Sequence, residues 1–115
     1  MNRRQTGSIY ETKAAEYLIR QGVCILERNY RIRSGEIDLI GRDGEYLVFF
    51  EVKYRNSGKM GRPLQAVDYR KQKKIVSVAR YYLYVNHCPY GTPVRFDCVG
   101  ITEDGIDWIR NAFHA

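Results

Sequence analysis

Apolar and polar positions along the chain change period several times, and each change predicts an element. Between Thr6 and Gln21 the apolar residues Ala14, Ala15 and Leu18 recur at helical spacing, with Lys13, Glu16 and Arg20 on the opposite side. Thr6 or Ser8 is a candidate cap for this helix, and Gly22 is the glycine that commonly follows a helix C-terminus. Val23 to Tyr30 reads as a strand, and a second runs from about Glu36 to Gly41. Asp43-Gly44 is a strong hairpin signal, after which Tyr46 to Tyr54 returns as a third strand.

Arg55 to Arg62 contains Asn56, Ser57, Gly58 and Gly61 and reads as a loop. Pro63 suits a first helical position. The helix it opens runs to about Val85, with Leu64, Val67, Ile75, Val78, Ala79 and Tyr82 on one face. Pro89 to Pro93 is another loop, and Val94 to Ile101 a fourth strand. Asp104-Gly105 marks a turn before a short final strand, Ile106 to Ile109. The order α-β-β-β-α-β, with that last strand added, predicts an α/β architecture: a mixed central sheet flanked by helices.

Composition narrows the function. A chain of 115 residues suits a single domain, 1–115, large enough for a real core. No apolar run approaches a membrane span, so no membrane partner is expected. Met1-Asn2-Arg3-Arg4-Gln5 is basic but lacks the apolar stretch of a signal peptide, which argues for a cytoplasmic protein. Cys24, Cys88 and Cys98 are odd in number and show no C-x-x-C spacing, so a zinc site is unsupported. They read as reduced thiols, with Cys24 and Cys98 filling strand positions as small apolar residues. The formal charge of +6 suits a polyanionic partner such as nucleic acid.

The chemistry is carried by charges where strands should be apolar. Asp38 sits in Gly35-Glu36-Ile37-Asp38-Leu39-Ile40, and Glu51 and Lys53 in Leu47-Val48-Phe49-Phe50-Glu51-Val52-Lys53. Acids are depleted in strands, and buried charge is costly unless it is paired or binds a metal. If the hairpin loop is Asp43-Gly44, Arg42 pairs with Glu45, Asp38 with Phe49 and Glu36 with Glu51. Glu36, Asp38, Glu51 and Lys53 then share one face, and Asp38 and Glu51 are diagonal neighbours. Carboxylates so placed can converge on Mg²⁺ or Mn²⁺, with the Val52 carbonyl as a further candidate ligand. The ion would polarise a phosphate and acidify a water, while Lys53 orients that water or neutralises charge on the phosphate. The alternative is an ion pair between Lys53 and either acid, with no catalysis.

The helices add to the set. Glu11 lies at the centre of the face made by Ala14, Ala15 and Leu18, so it points at the sheet. It is either a third carboxylate for the metal or an acid near a helix N-terminus favoured by the macrodipole. In the second helix Asp68 and Lys71 interrupt the apolar face; they either pair with each other at i, i+3 spacing or serve the site. Gln72, at the edge of that face, is a candidate for contacting phosphate or ordering water. Arg55, Lys59, Arg62, Lys71, Lys73 and Lys74, joined by Arg70, form a candidate phosphate-facing surface, against the alternative of a solvated helix face. Of the ten tyrosines, most are expected to cover the core rather than stack on bases. Asp97 is expected to pair with Arg95 or another base, outside the site.

The residues Glu11, Ala14-Ala15, Tyr17-Leu18, Arg28-Asn29-Tyr30-Arg31, Gly35 to Ile40, Phe50 to Arg55, Lys71 to Lys74 and Arg95-Phe96-Asp97 occur in an order that resembles the YraN-like family of uncharacterised bacterial proteins. The likeness covers nearly the whole chain. It implies a restriction-endonuclease-like fold similar to the Holliday-junction resolvases of archaea. By that resemblance Asp38, Glu51 and Lys53 match the PD-(D/E)xK motif, with Ile37 in place of its proline, and Glu11 matches the first-helix acid of the resolvase-like branch. It implies Mg²⁺-dependent hydrolysis of DNA phosphodiesters in a bacterial cytoplasm, and a two-fold homodimer as candidate assembly, although no interface stripe is visible. A non-catalytic nucleic-acid-binding or assembly module that keeps the fold is the alternative.

Overall fold

In the computed structural model, which describes residues 3–55 and 67–115, two helices enclose one five-stranded sheet. Helix α1 spans Arg3–Arg20. It begins upstream of both expected caps, so Thr6 and Ser8 lie within the helix; Arg3, Arg4 and Gln5 are all good helix formers and carry it back. Its other end is a Schellman motif: Val23 N–H donates to the Leu18 carbonyl at 3.0 Å and Gly22 N–H to that of Ile19 at 3.0 Å. Gly22 has φ +100, which a side chain would resist. Val23 and Leu18 close the motif by packing in the same apolar cluster.

The strands are β1 (Cys24–Ile32), β2 (Gly35–Asp43), β3 (Tyr46–Tyr54), β4 (Val94–Thr102) and β5 (Gly105–Phe113), in that spatial order. Only β3 and β4 run parallel. A parallel pair needs a crossover, supplied by helix α2 (Tyr69–Val85). The strand after Asp104-Gly105 is longer than the expected Ile106 to Ile109 and runs to Phe113, which is buried against Phe96.

Helix α2 starts later than Pro63 suggests. Asp68 is extended (φ −70°, ψ 165°) and caps the helix by accepting the Lys71 N–H at 2.8 Å. Val67 is therefore outside the helix, although its side chain is buried as expected. Pro63 and Leu64 lie outside the described residues.

The two sheet faces are covered separately. Ile75, Val78, Ala79 and Tyr82 of α2 pack on Ile37, Ile40, Leu47, Phe49, Phe96 and Cys98. On the other face Ala14, Ala15 and Leu18 of α1 pack on Leu39, Val48, Phe50, Val99 and Ile101. Cys98 is in the core, but Cys24, first in β1, is exposed and not a core filler.

The β2–β3 register also differs from expectation. The closing pair is Asp43 with Tyr46, so the loop is Gly44-Glu45, and Ile40 faces Phe49. Gly44 carries φ +62 at the first loop position, the place a type II′ turn reserves for glycine. Each β2 residue thus meets a β3 residue two places farther on than the Asp43-Gly44 loop implies.

Candidate functional site

The site forms where β2 and β3 part. Their pairing runs from Asp43 with Tyr46 to Leu39 with Phe50. At the next position the Asp38 side chain takes over: its Oδ2 accepts the Val52 N–H at 2.8 Å. Alternation breaks here as well, since Ile37 belongs to the α2-side core and Leu39 to the α1-side core. The matching position in β1 is irregular too. Asn29, between Arg28 (opposite Leu39) and Tyr30 (opposite Ile37), has φ +52. Asparagine is among the few residues that tolerate this conformation.

This kink corrects the expectation that Glu36, Asp38, Glu51 and Lys53 share one face. Glu51 and Lys53 do point to the α2 side, because β3 alternates regularly with Phe49 on that side and Phe50 and Val52 on the other. Asp38 sits at the break between faces. Glu36 is exposed and pairs loosely with Arg31 at 3.5 Å.

Glu11 approaches from the opposite layer. Half-buried on α1, it is within hydrogen-bonding reach of the side chains of Asn29 and Asp38. Asp38 is in turn within hydrogen-bonding reach of Glu51. Three carboxyl groups, from α1, β2 and β3, therefore meet at one end of the sheet. Glu51 is only 4% exposed, and the Lys71 ammonium, reaching down from α2, pairs with its Oε2. Asp68 and Lys71 thus do not form an ion pair with each other: the acid caps the helix through the Lys71 backbone, and the ammonium goes to Glu51.

Crowding shows in the proton affinities. Burial, then the Glu51 charge, pushes the Asp38 carboxyl from 3.8 up to about 8, with Glu11 adding and the Val52 N–H opposing. Burial also raises Glu11, against the hydrogen bonds from Asn29 and Asp38. Burial alone would lower Lys71, but its hydrogen bond to Glu51 and the surrounding acids more than offset this and hold it above the usual lysine value. Such carboxyls are short of positive charge. Among the described residues, however, no group of three or more His, Cys, Asp and Glu already has the geometry to enclose a metal ion.

The other candidates are dispersed. Lys53 is half-buried, one step beyond Glu51 along β3. Arg55 follows it, its N–H donating to the Ile101 carbonyl at 2.9 Å. Gln72 donates to the Val67 carbonyl at 2.8 Å, which ties down the entry to α2. Lys73 and Lys74 are exposed, and the Lys73 ammonium lies 5.1 Å from the Tyr69 ring centroid. Lys59 and Arg62 fall outside the described residues. Asp97 pairs with Arg95 as expected and stands apart from the site.

Two parts of the site escaped the sequence reading: the Lys71–Glu51 pair and the positioning of Glu11 and the β1 kink by Asn29. Lys71 was visible as a charge in an apolar helix face. Asn29 had only the weaker signal of an asparagine inside a strand, where it is disfavoured.

The sequence profile described as Uncharacterised protein family UPF0102 matches residues 10–101. The chain belongs to this family. It is 50% identical to a UPF0102 protein of Lachnoclostridium phytofermentans over 115 residues, covering all of this chain and 98% of the relative. A UPF0102 protein of Clostridioides difficile is 42% identical, covering 98% of this chain and all of the relative. One of Thermodesulfovibrio yellowstonii is 43% identical, covering 98% of this chain and 99% of the relative. The UPF0102 family is the YraN-like family of bacterial proteins. Among the described residues of this UPF0102 member, no helix is long and apolar enough to cross a membrane.

Proposed function

We propose that this protein is a Mg²⁺- or Mn²⁺-dependent, endonuclease-like enzyme of restriction-endonuclease-like fold that hydrolyses DNA phosphodiester bonds in the bacterial cytoplasm, on structured DNA such as junctions, flaps or damage intermediates. The observation that carries this reading is the convergence of Glu11, Asp38 and Glu51 at the parting of β2 and β3, with lysines beside them. The donors suit a hard divalent cation, since all are carboxylate oxygens and their mutual repulsion is what a cation relieves. Asp38 and Glu51 would hold the ion, with Glu11 reaching it directly or through water. Such an ion polarises a phosphoryl oxygen and lowers the pKa of bound water. Lys53 supplies positive charge for the attacking water and the developing phosphate charge. Arg55, Lys71, Gln72, Lys73 and Lys74, with Lys59 and Arg62, would meet the DNA backbone.

The test is a cleavage panel of duplex, single-stranded, flap and four-way-junction DNA with Mg²⁺ or Mn²⁺. Nicking or junction cleavage is expected, and Asp38→Asn or Lys53→Ala should lower it at least a hundredfold, about 3 kcal/mol of barrier, with the fold intact. Pure protein that cuts none of these with either ion rules the enzyme reading out.

A second reading has its own support. Lys71 already neutralises Glu51, and the carboxyls lack a ready-made three-ligand geometry. A non-catalytic nucleic-acid-binding or assembly module would keep such an arrangement for structure alone. It predicts salt-dependent DNA binding that survives Asp38→Asn and weakens on Lys73→Ala or Lys74→Ala.

A further inference from the structure

Helix α2 carries five cationic side chains, Arg70, Lys71, Lys73, Lys74 and Arg80, and no acidic one. Its buried residues, Ile75, Val78, Ala79 and Tyr82, define the inward face. Arg70, Lys73, Lys74, Arg80, Tyr81 and Tyr84 are all exposed and, at 3.6 residues per turn, share an outward arc of about 120°. The cations dominate the end near the carboxylates, and the aromatic rings the far end. From Arg70 to Tyr84 the track is about 21 Å long at the helical rise.

The rings on this side are not core residues. Tyr69 is 71% exposed, Tyr84 80%, and Tyr90, in the loop after α2, fully exposed. Two open depressions lie beside them. One, of about 360 Å³, is walled by Tyr69, Lys73, Arg80 and His114. The other, of about 350 Å³, lies between Tyr84 and Tyr90. Among the described residues, neither is lined by an aspartate or glutamate.

A plain solvated helix face accounts for the lysines and tolerates exposed rings, but it gives no task to rings set in line with the cations. An intact duplex accounts for the phosphate contacts, yet its bases are stacked inside and offer those rings nothing. A single strand offers both a phosphate backbone and free base faces. We infer that the outward face of α2 is the track for a single-stranded DNA arm leaving the carboxylate site, with phosphates along Arg70, Lys73, Lys74 and Arg80 and bases against Tyr84 and Tyr90. This rests on the nuclease reading for the position of the cut, and it names the substrate class: duplex DNA with an unpaired extension.

Fluorescence anisotropy on the full chain in EDTA, at fixed salt, tests it by comparing a blunt duplex with the same duplex carrying a single-stranded tail. The tailed DNA should bind about tenfold tighter, the size of one or two base–aromatic stacks. The double variant Tyr84→Ala/Tyr90→Ala should erase that difference and leave blunt-duplex affinity unchanged. Arg80→Ala should weaken tailed binding and reduce its salt slope by about one. Equal affinity for blunt and tailed DNA, or a double variant that behaves as wild type, overturns the track and leaves the nuclease reading to its cleavage assay. Failure to bind any of these DNAs overturns the track and again leaves the nuclease reading to its cleavage assay, and tighter binding to a single-stranded RNA tail overturns the assignment to DNA.

Discussion

Asp38 is an acid whose surroundings oppose its ionisation. Burial and the Glu51 charge push its carboxyl up to about 8 in the folded chain, against 3.8 for an ordinary aspartate. Between those values the folded, metal-free protein keeps a proton that the unfolded chain has released. The stability this contributes is fully present below about pH 4 and is lost as pH rises through about 8, with a slope of up to about 1.4 kcal/mol per pH unit. Thermal melts from pH 5 to pH 8.5 should therefore show a falling midpoint. Asp38→Asn should flatten that fall and raise the midpoint at pH 8, because an amide still accepts from the Val52 N–H and carries no charge towards Glu51. A variant that melts lower than wild type at pH 8 would contradict this electrostatic account. Asp38, Glu51 and Lys53 were legible in the sequence because charged residues in apolar strands stand out from their neighbours. Lys71's partner was not, since choosing between Asp68 and Glu51 depends on where α2 starts and how it lies on the sheet.

At the level of elements, the two ends of the sheet are held by different means. Away from the carboxylates, Asp97 of β4 is fully buried yet accepts from Arg95, from the Trp108 indole at 2.9 Å and from the Asn111 N–H at 2.8 Å. Arg95 reaches on to Asp43 at 2.8 Å, so one guanidinium ties the β2–β3 hairpin to β4. Asp97→Ala would leave Arg95, the indole and a backbone N–H short of a partner and should cost about 3–5 kcal/mol, read by urea unfolding. A cost below about 1 kcal/mol would show the network to be dispensable. Gly41 is a second fixed point. A Cβ there would meet Val23 Cγ1 at 2.9 Å and the Cys24 carbonyl at 3.0 Å, so Gly41→Ala should cost about 1–3 kcal/mol by forcing β1 away. The strands and their order were readable from alternation and turn residues. The register was not, because Asp43-Gly44 fits a loop with glycine in second place as well as the observed one with glycine first. The kink at Asn29 and Asp38 comes from pairing between strands, which a single strand's pattern does not contain. The tyrosines misled for a related reason: Tyr10, Tyr17, Tyr30 and Tyr82 do pack against the core, but Tyr46, Tyr54, Tyr69, Tyr81, Tyr84 and Tyr90 are exposed, and amphipathic rings suit either place.

At the level of the whole molecule, charge is arranged by layer. One helix brings an acid to the parting of β2 and β3, the sheet brings two more, and the other helix brings a lysine to them and a row of cations beside them. That distribution is costly for a scaffold alone, because the carboxyls repel one another in the folded state. Under the proposed function, a divalent cation among them and a polyanion alongside would offset that cost. The most direct measurement is a Mn²⁺ titration of the metal-free protein, followed by calorimetry or by the paramagnetic signal of free ion, for wild type, Asp38→Asn and Glu51→Gln. One site in wild type that tightens as pH rises from 6 to 8, in step with Asp38 losing its proton, and that weakens at least tenfold in both variants, is the predicted result. No saturable Mn²⁺ binding in wild type, or binding that both variants retain unchanged, would contradict a metal centre at Asp38 and Glu51.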